Sequence, residues 1–144
     1  MTTQPHTSPL SVIERLRDAT NRHDLDALAA CFASDYRSEF PAHPDRAFSG
    51  HEQMRKNWTQ IFGALPDIES VLLGCVAQGD TVWAEWEWWG TRPDGVRQMM
   101  RGVTVQGVRD DRIAWVRMYM EPVQEGGAGS DAAVRQTVTG RAPS

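Results

Sequence analysis

The chain has 144 residues, of which 40% are hydrophobic and 24% are charged, a composition typical of one globular domain with its own core. Its formal net charge of -4 and the absence of a basic stripe argue against a nucleic-acid partner. No apolar run reaches about 18 residues, and the N-terminus lacks the regions of a secretory signal, so we expect no membrane association and a cytoplasmic location.

Three helices are predicted in the N-terminal half of the chain. The first begins at a capping hydroxyl residue before Pro9, and the second begins at Asp24. A short strand is predicted over 35–40, followed by a proline-rich loop. The third helix is predicted at about 50–63, and its apolar side chains have the spacing i, i+4, i+7 and i+8: Met54, Trp58, Ile61 and Phe62.

From residue 65 onward the apolar pattern changes to a period of two, which is typical of strands. Strands are predicted near 67–78, 80–91, 96–109 and 112–121. The short connections between them indicate antiparallel hairpins, and helices followed by strands indicate the α+β class. Along the chain we predict a flexible arm over 1–8, a domain over 9–123 and a flexible tail over 124–144.

Four of the six tryptophans fall on one predicted strand. Because side chains on a strand alternate between faces, that strand has two sets of residues. One set is Val82, Ala84, Trp86 and Trp88, and the other is Trp83, Glu85, Glu87 and Trp89. Each face carries two large aromatic side chains, so we expect both faces to be covered, although each indole can also simply fill core volume.

The ordered set of motifs over about 10–123 resembles the SnoaL-like branch of the nuclear transport factor 2 superfamily. Its carriers are Asn21-Arg22-His23-Asp24-Leu25-Asp26, Phe32-Ala33-Ser34-Asp35-Tyr36, Ser49-Gly50-His51-Glu52, Leu65-Pro66-Asp67-Ile68, Gly79-Asp80-Thr81-Val82, Arg101-Gly102-Val103-Thr104-Val105 and Asp111-Arg112-Ile113 through Tyr119-Met120-Glu121. The resemblance implies a cone, in which a curved antiparallel sheet wraps around the three N-terminal helices.

The resemblance also implies a use for each face of the sheet. The concave face lines a pocket for a small hydrophobic molecule, and the convex face pairs two subunits. We therefore expect a homodimer through Trp83, Glu85, Glu87 and Trp89. The expected ligand-contacting residues are Tyr36, Phe40, Trp58, Phe62, Trp86, Trp88, Met100, Thr104, Met118 and Met120, with Arg101 as an anion binder or a surface ion pair.

Ionisable residues that related enzymes use are absent here. Ketosteroid isomerases of this fold carry an aspartate base near Phe40, a tyrosine near Leu16 and a protonated aspartate near Thr104, and limonene-epoxide-hydrolase-like enzymes carry an acid near Met118. We therefore expect neither mechanism to operate in this chain. Among SnoaL-like cyclase positions, Glu121 is the remaining acid.

Glu39, His43 and Glu121 remain as candidate general bases. Glu39 reaches a pocket only if a bulge turns it inward, and a solvated loop residue is the simpler interpretation of His43. Two functions stay open: a cofactor-free cyclase, isomerase or hydratase, which we slightly favour, and a non-catalytic ligand-binding or dimeric adaptor domain. We expect no metal and no cofactor, because metal-ligand spacing and a phosphate-binding loop are both missing. Cys31 and Cys75 are interpreted as reduced thiols.

Overall fold

The computed structural model describes residues 8–141, which form four helices and one curved six-stranded sheet. The helices are α1 Pro9–Asn21, α2 Leu25–Ala30, α3 His51–Ala64 and α4 Ser130–Thr139, and one turn of 3-10 helix covers Pro44–Arg46. The strands are β1 Phe32–Glu39, β2 Phe48–Ser49, β3 Glu69–Gln78, β4 Thr81–Thr91, β5 Arg97–Arg109 and β6 Arg112–Pro122. The predicted α+β class is confirmed.

The first helix is capped at one end and tied to the sheet at the other. The Ser8 hydroxyl accepts a hydrogen bond from the Leu10 amide at 3.3 Å, with Pro9 in the first turn. At the far end, the Asn21 side chain donates to the Ser70 carbonyl oxygen at 3.0 Å and accepts from the Ser70 amide at 2.7 Å. These two bonds fix the end of α1 against the edge strand β3.

The sheet has the strand order β2-β1-β6-β5-β4-β3. The predicted antiparallel hairpins join β3 to β4, β4 to β5 and β5 to β6. The expectation of a wholly antiparallel sheet is wrong for β1, which runs parallel to β6 with Ser38 opposite Val116. Parallel neighbours need a long crossover, and here α3 and four strands lie between them in the chain. Strand β1 also begins at Phe32 rather than at residue 35, and β2 was not predicted.

The tryptophan strand β4 has the alternation that the sequence predicts. On one face Val82, Ala84 and Trp86 are buried, with at most 2% of each side chain exposed. On the other face Trp83 is 38% exposed. The buried set faces α1, whose Val12 is also fully buried. We call the face that carries Trp86 the inner face of the sheet and the opposite one the outer face.

The C-terminal segment contains a helix that the sequence analysis did not predict. Helix α4 lies within the predicted tail, and none of its residues is buried. Its two valines, Val134 and Val138, are mostly exposed. Flexibility of residues 124–144 remains a prediction, and residues 1–7 of the predicted arm lie outside the described part of the chain. None of the described helices combines the length and the hydropathy that crossing a bilayer requires.

Gly102 permits close contact between β5 and β6. A β-carbon built at Gly102 would lie 2.0 Å from the Tyr119 carbonyl oxygen and 2.8 Å from the Met120 α-carbon, both backbone atoms. Backbone cannot rotate away as a side chain can, so any larger residue must push the two strands apart. Gly102 also lies opposite Trp86 in the register of β4 and β5.

We expect Gly102→Ala to lower the free energy of unfolding by about 2–3 kcal/mol, because overpacking at this contact displaces backbone. Chemical denaturation followed by circular dichroism measures the change. Gly74→Ala is the matched control, since a β-carbon at that sheet position meets no atom within 4 Å. Equal stability of the two variants would contradict the steric argument.

Candidate functional site

A cavity of about 240 Å³ lies between the inner face of the sheet and helices α1 and α3. Most of the residues predicted to contact a ligand line it. They are Tyr36, Phe40, Trp58, Trp86, Trp88, Met100, Thr104 and Met118. The period-two pattern of the strands and the helical spacing of α3 therefore bring these residues together.

Aromatic rings form much of the cavity wall. Trp58 on α3 meets Trp88 on β4 edge to face, with ring centroids 5.7 Å apart, and Trp86 lies 6.4 Å from Trp88. Such tilted contacts are favourable for aromatic rings and leave flat faces available to a guest. Phe40, Trp58 and Met100 are partly exposed, and we call the end of the cavity that they form the mouth.

The Trp86 indole is held in place by a buried hydrogen bond. Its Nε1 donates to the Thr104 hydroxyl oxygen at 2.8 Å, from β4 to β5. An indole nitrogen can only donate, so the Thr104 hydroxyl accepts this bond and keeps its own proton for another partner. The bond therefore fixes the ring that forms one wall and leaves a donor facing the cavity lining.

The Trp88 indole nitrogen has no such partner. It is buried, and no described residue accepts a hydrogen bond from it. A buried donor that has lost its water and gained no acceptor costs free energy. Trp88 is therefore held by packing, which includes the rings of Trp58 and Trp86, and not by a side-chain hydrogen bond from its nitrogen.

The buried end of the cavity is polar but uncharged. We use this name for the part of the cavity that Tyr36, Ser38, Thr104 and Gln106 line, each at most 3% exposed; Thr20 and Ser70 are further buried polar residues of the lining. No described residue hydrogen-bonds the Tyr36 hydroxyl, and burial raises the pKa of that hydroxyl above its ordinary value. Tyr36 therefore stays protonated near neutral pH and can donate a hydrogen bond into the cavity.

Gln106 is a site residue that the sequence analysis missed. Its amide nitrogen donates to the Val82 carbonyl oxygen at 2.9 Å, which directs the amide oxygen elsewhere. A glutamine in a strand suggests a solvated position, but Gln106 lies two residues after Thr104 and therefore on the same face. Strand alternation was the signal that could have found it.

Three predicted ligand-contacting residues do not line the cavity. Phe62 packs against Trp58 and His23, with centroid distances of 5.5 Å and 5.3 Å. Met120 is buried in the core beside the cavity. Arg101 lies on the outer face, where its Nε donates to the Glu87 carboxylate at 3.0 Å, so the surface ion pair is the interpretation that fits.

The three candidate bases also lie outside the cavity. Glu39 pairs with Arg37 at 2.9 Å, and its side chain is 45% exposed. His43 Nε2 lies 2.7 Å from the Glu121 carboxylate, and both side chains are substantially exposed. Glu39 faces outward because Tyr36 and Ser38 take the inward positions of β1, and the bulge that would reverse it lies earlier in the strand, between residues 32 and 37.

As a result, the lining residues within the described chain include no carboxylate, imidazole, ammonium or guanidinium group. Nor does the described part of the chain contain three histidine, cysteine, aspartate or glutamate residues grouped to hold a metal ion. Cys31 and Cys75 are free. The arrangement can enclose an apolar molecule and offer it neutral hydrogen-bonding groups.

Comparison with known proteins gives a family and a fold. The family model for the SnoaL-like domain matches residues 13–116. No curated protein matches the sequence.

Similar solved structures include IdmH, a candidate polyketide cyclase from Streptomyces antibioticus, with a TM-score of 0.69 and 23% identity over 81% of this chain and 92% of that one. AclR, a candidate hydroxylase from Streptomyces galilaeus, has a TM-score of 0.68 and 16% identity over 78% and 88%. A nuclear transport factor 2-like protein of unknown function from Burkholderia pseudomallei has a TM-score of 0.70 and 14% identity over 80% and 92%. At these identities the likeness concerns the fold.

The two tryptophans of the inner face should differ in their contribution to stability. We expect Trp86→Phe to lower the free energy of unfolding by about 1–3 kcal/mol, because it removes a buried hydrogen bond as well as ring volume. Trp88→Phe removes similar volume but no hydrogen bond, and it should cost less. Urea denaturation of both variants measures the difference, and a larger loss for Trp88→Phe would contradict the role given to the Trp86–Thr104 bond.

Proposed function

This chain belongs to the SnoaL-like domain family, and from that premise we propose that it binds an uncharged hydrophobic small molecule in the cavity. The observation that carries the proposal is the lining itself. Aromatic and methionine side chains surround the space, and a few neutral polar groups gather at its buried end. That combination is typical of small-molecule sites, in which apolar walls supply affinity and a few polar groups set orientation.

Binding has more support than acid–base catalysis. A general base must come within hydrogen-bond reach of the proton that it removes. Glu39 forms an exposed ion pair with Arg37, and the exposed side chains of His43 and Glu121 contact each other at 2.7 Å, all outside the cavity. The sequence slightly favoured an enzyme, but the positions of these three side chains support binding more strongly than catalysis.

Cofactor-free cyclisation is the second candidate, and isomerisation or hydration would face the same requirement for a base. The fold shared with IdmH, a candidate polyketide cyclase, favours cyclisation. In such a reaction Tyr36 and Thr104 would donate hydrogen bonds to a developing oxyanion, and the base would have to be His43 or Glu121, after a rearrangement at the mouth. Turnover that is lost in both His43→Gln and Glu121→Gln would support this candidate over binding alone.

We also propose that the outer face of the sheet joins two copies of the chain. The predicted residues Trp83, Glu85, Glu87 and Trp89 lie on this face, and Val76 and Tyr119 add exposed apolar surface beside them. The Arg97 guanidinium covers the Trp89 ring at 4.2 Å, so Trp83 is the more exposed indole of the two. Exposed aromatic clusters of this kind are enriched at protein interfaces.

A cytoplasmic location remains part of the proposal.

Filling the cavity should abolish ligand binding. We expect the native chain to bind naphthalene and Met118→Trp to lose that binding, because the larger ring takes the space of the guest. Isothermal titration calorimetry measures both. The matched control is Tyr119→Trp, which adds an indole at the next position of β6 on the exposed outer face and should bind naphthalene like the native chain. Equal binding by both variants would place the ligand elsewhere.

Affinity for an uncharged ligand should not depend on pH between about 5 and about 9, because no lining group titrates in that range. Burial holds the pKa of Tyr36 above its ordinary value, so its hydroxyl stays neutral throughout. Calorimetric titration with naphthalene at several pH values measures this. A tenfold change in affinity across the range would reveal an ionisable group at the site.

The outer face predicts a dimer that one substitution disrupts. Light scattering at tens of micromolar should give the mass of two chains for the native protein and of one chain for Trp83→Glu. The substitution replaces the more exposed indole of the proposed interface with a charge. Gln60→Glu adds the same charge on the exposed face of α3 and should leave the mass unchanged. A monomeric native chain would remove this part of the proposal.

A further inference from the structure

We infer that the ligand is a one- or two-ring apolar molecule that carries a hydroxyl group, held at the buried end between Gln106 and the hydroxyls of Thr104 and Tyr36. This inference rests on the proposed function, since it names the chemical class of ligand for the same cavity. Three features of the cavity support it: the unused hydrogen-bonding capacity of the polar groups at the buried end, the cavity volume and the uncharged lining.

Gln106 supplies an acceptor whose direction is fixed. Its amide nitrogen must face the Val82 carbonyl oxygen, 2.9 Å away, because a carbonyl oxygen can only accept a hydrogen bond. The amide oxygen is therefore turned away from Val82, in a side chain that is 1% exposed and lines the cavity. A buried amide oxygen is stabilised by a donor and penalised by another acceptor. A ligand hydroxyl meets this requirement, whereas a ketone oxygen does not.

Thr104 and Tyr36 supply the complementary donors. The Thr104 hydroxyl oxygen already accepts from Trp86, so its proton is free to be donated. Thr104 and Gln106 lie two residues apart on the inner face of β5, which separates their α-carbons by about 7 Å. A hydroxyl group placed between their side chains can donate to Gln106 and accept from Thr104 or Tyr36, and both of its hydrogen-bonding capacities are then used.

Cavity size limits the ring system. An engineered protein cavity of about 150 Å³ holds benzene, and pockets for drug-sized molecules begin at about 300 Å³. The cavity of this chain, about 240 Å³, lies between the two. One ring or two fused rings fit inside, and a larger polycyclic molecule would have to extend past Trp58 and Met100 at the mouth.

Charge is disfavoured at the buried end. The lining residues within the described chain provide no cation for a carboxylate and no anion for an amine. Moving an ion from water to such a site without a counter-ion is costly. The ligand that fits is therefore a neutral alcohol or phenol.

The test compares matched ligands by isothermal titration calorimetry at neutral pH. We expect the native chain to bind 2-naphthol about tenfold more tightly than 2-methylnaphthalene, which has the same shape but cannot hydrogen-bond. It should likewise prefer 2-tetralol to 2-tetralone, which differ in whether the oxygen can donate to Gln106. 2-Naphthoate, which is charged, should bind more weakly than either naphthalene derivative.

Two variants test the residues. Gln106→Met removes the acceptor at nearly constant length, and Tyr36→Phe removes one hydroxyl and leaves the ring, so the second remains informative if the first does not fold. Each should reduce the preference for 2-naphthol while binding of 2-methylnaphthalene stays unchanged. Tyr119→Phe makes the same chemical change on the outer face and should keep the native preference.

The outcomes separate this inference from the proposed function. Equal affinity of the native chain for 2-naphthol and 2-methylnaphthalene overturns the hydroxyl-bearing class and leaves a hydrophobic binding site. A preference that survives in both Gln106→Met and Tyr36→Phe overturns the assignment of the buried end. Failure to bind any of the uncharged probes overturns the proposed function itself.

Discussion

The hydrogen bond between the Trp86 indole and the Thr104 hydroxyl is the contact on which the inner architecture depends. It joins two neighbouring strands through side chains and holds a large ring in one orientation inside the core. Gly102, opposite Trp86 in the register, lets the β6 backbone approach β5 closely. The fixed ring forms one wall of the cavity between the sheet and helices α1 and α3.

The distribution of polarity follows from strand register. On β5, Met100, Thr104 and Gln106 share the inner face, so one strand carries an apolar side chain to the mouth and two polar ones to the buried end. The charged groups of the same region fall at alternate positions and therefore on the outer face, where Arg101 pairs with Glu87. A single alternation thus separates a neutral interior from a charged exterior, which is why the cavity suits binding of an uncharged molecule better than proton transfer.

The sequence predicted whatever depended on local periodicity. The faces of β4, the starts of α1 and α2 and the apolar stripe of α3 follow from alternation, capping and helical spacing. Strand β4 and helix α3 together supply five of the apolar cavity-lining residues: Trp86, Trp88, Met54, Trp58 and Ile61. Pairing between distant segments was not predictable in the same way. The parallel contact of β1 with β6 depends on packing over the whole domain, and the extension of β1 back to Phe32 depends on its pairing with Ile113.

Individual polar residues were the hardest to assign. Arg101 was expected to face a ligand, but the register places it on the outer face. Its neighbours on β5, Met100 and Gly102, pair with Trp88 and Trp86 of the inner face. Gln106 was overlooked because its type suggests solvent, whereas its burial depends on a bond to the Val82 backbone that composition does not reveal. Helix α4 carries no buried residue, so the sequence has no apolar stripe from which the helix could be predicted.

The cavity inside the domain has a consequence for its response to hydrostatic compression. Unfolding eliminates internal voids, so the unfolded chain together with its solvent occupies less volume than the folded state. A guest that fits the cavity of about 240 Å³ fills space that the side chains leave between them, so it changes the volume difference between the folded and unfolded states. Measurement of unfolding under pressure therefore reports on occupancy even when the bound molecule has no spectroscopic signal.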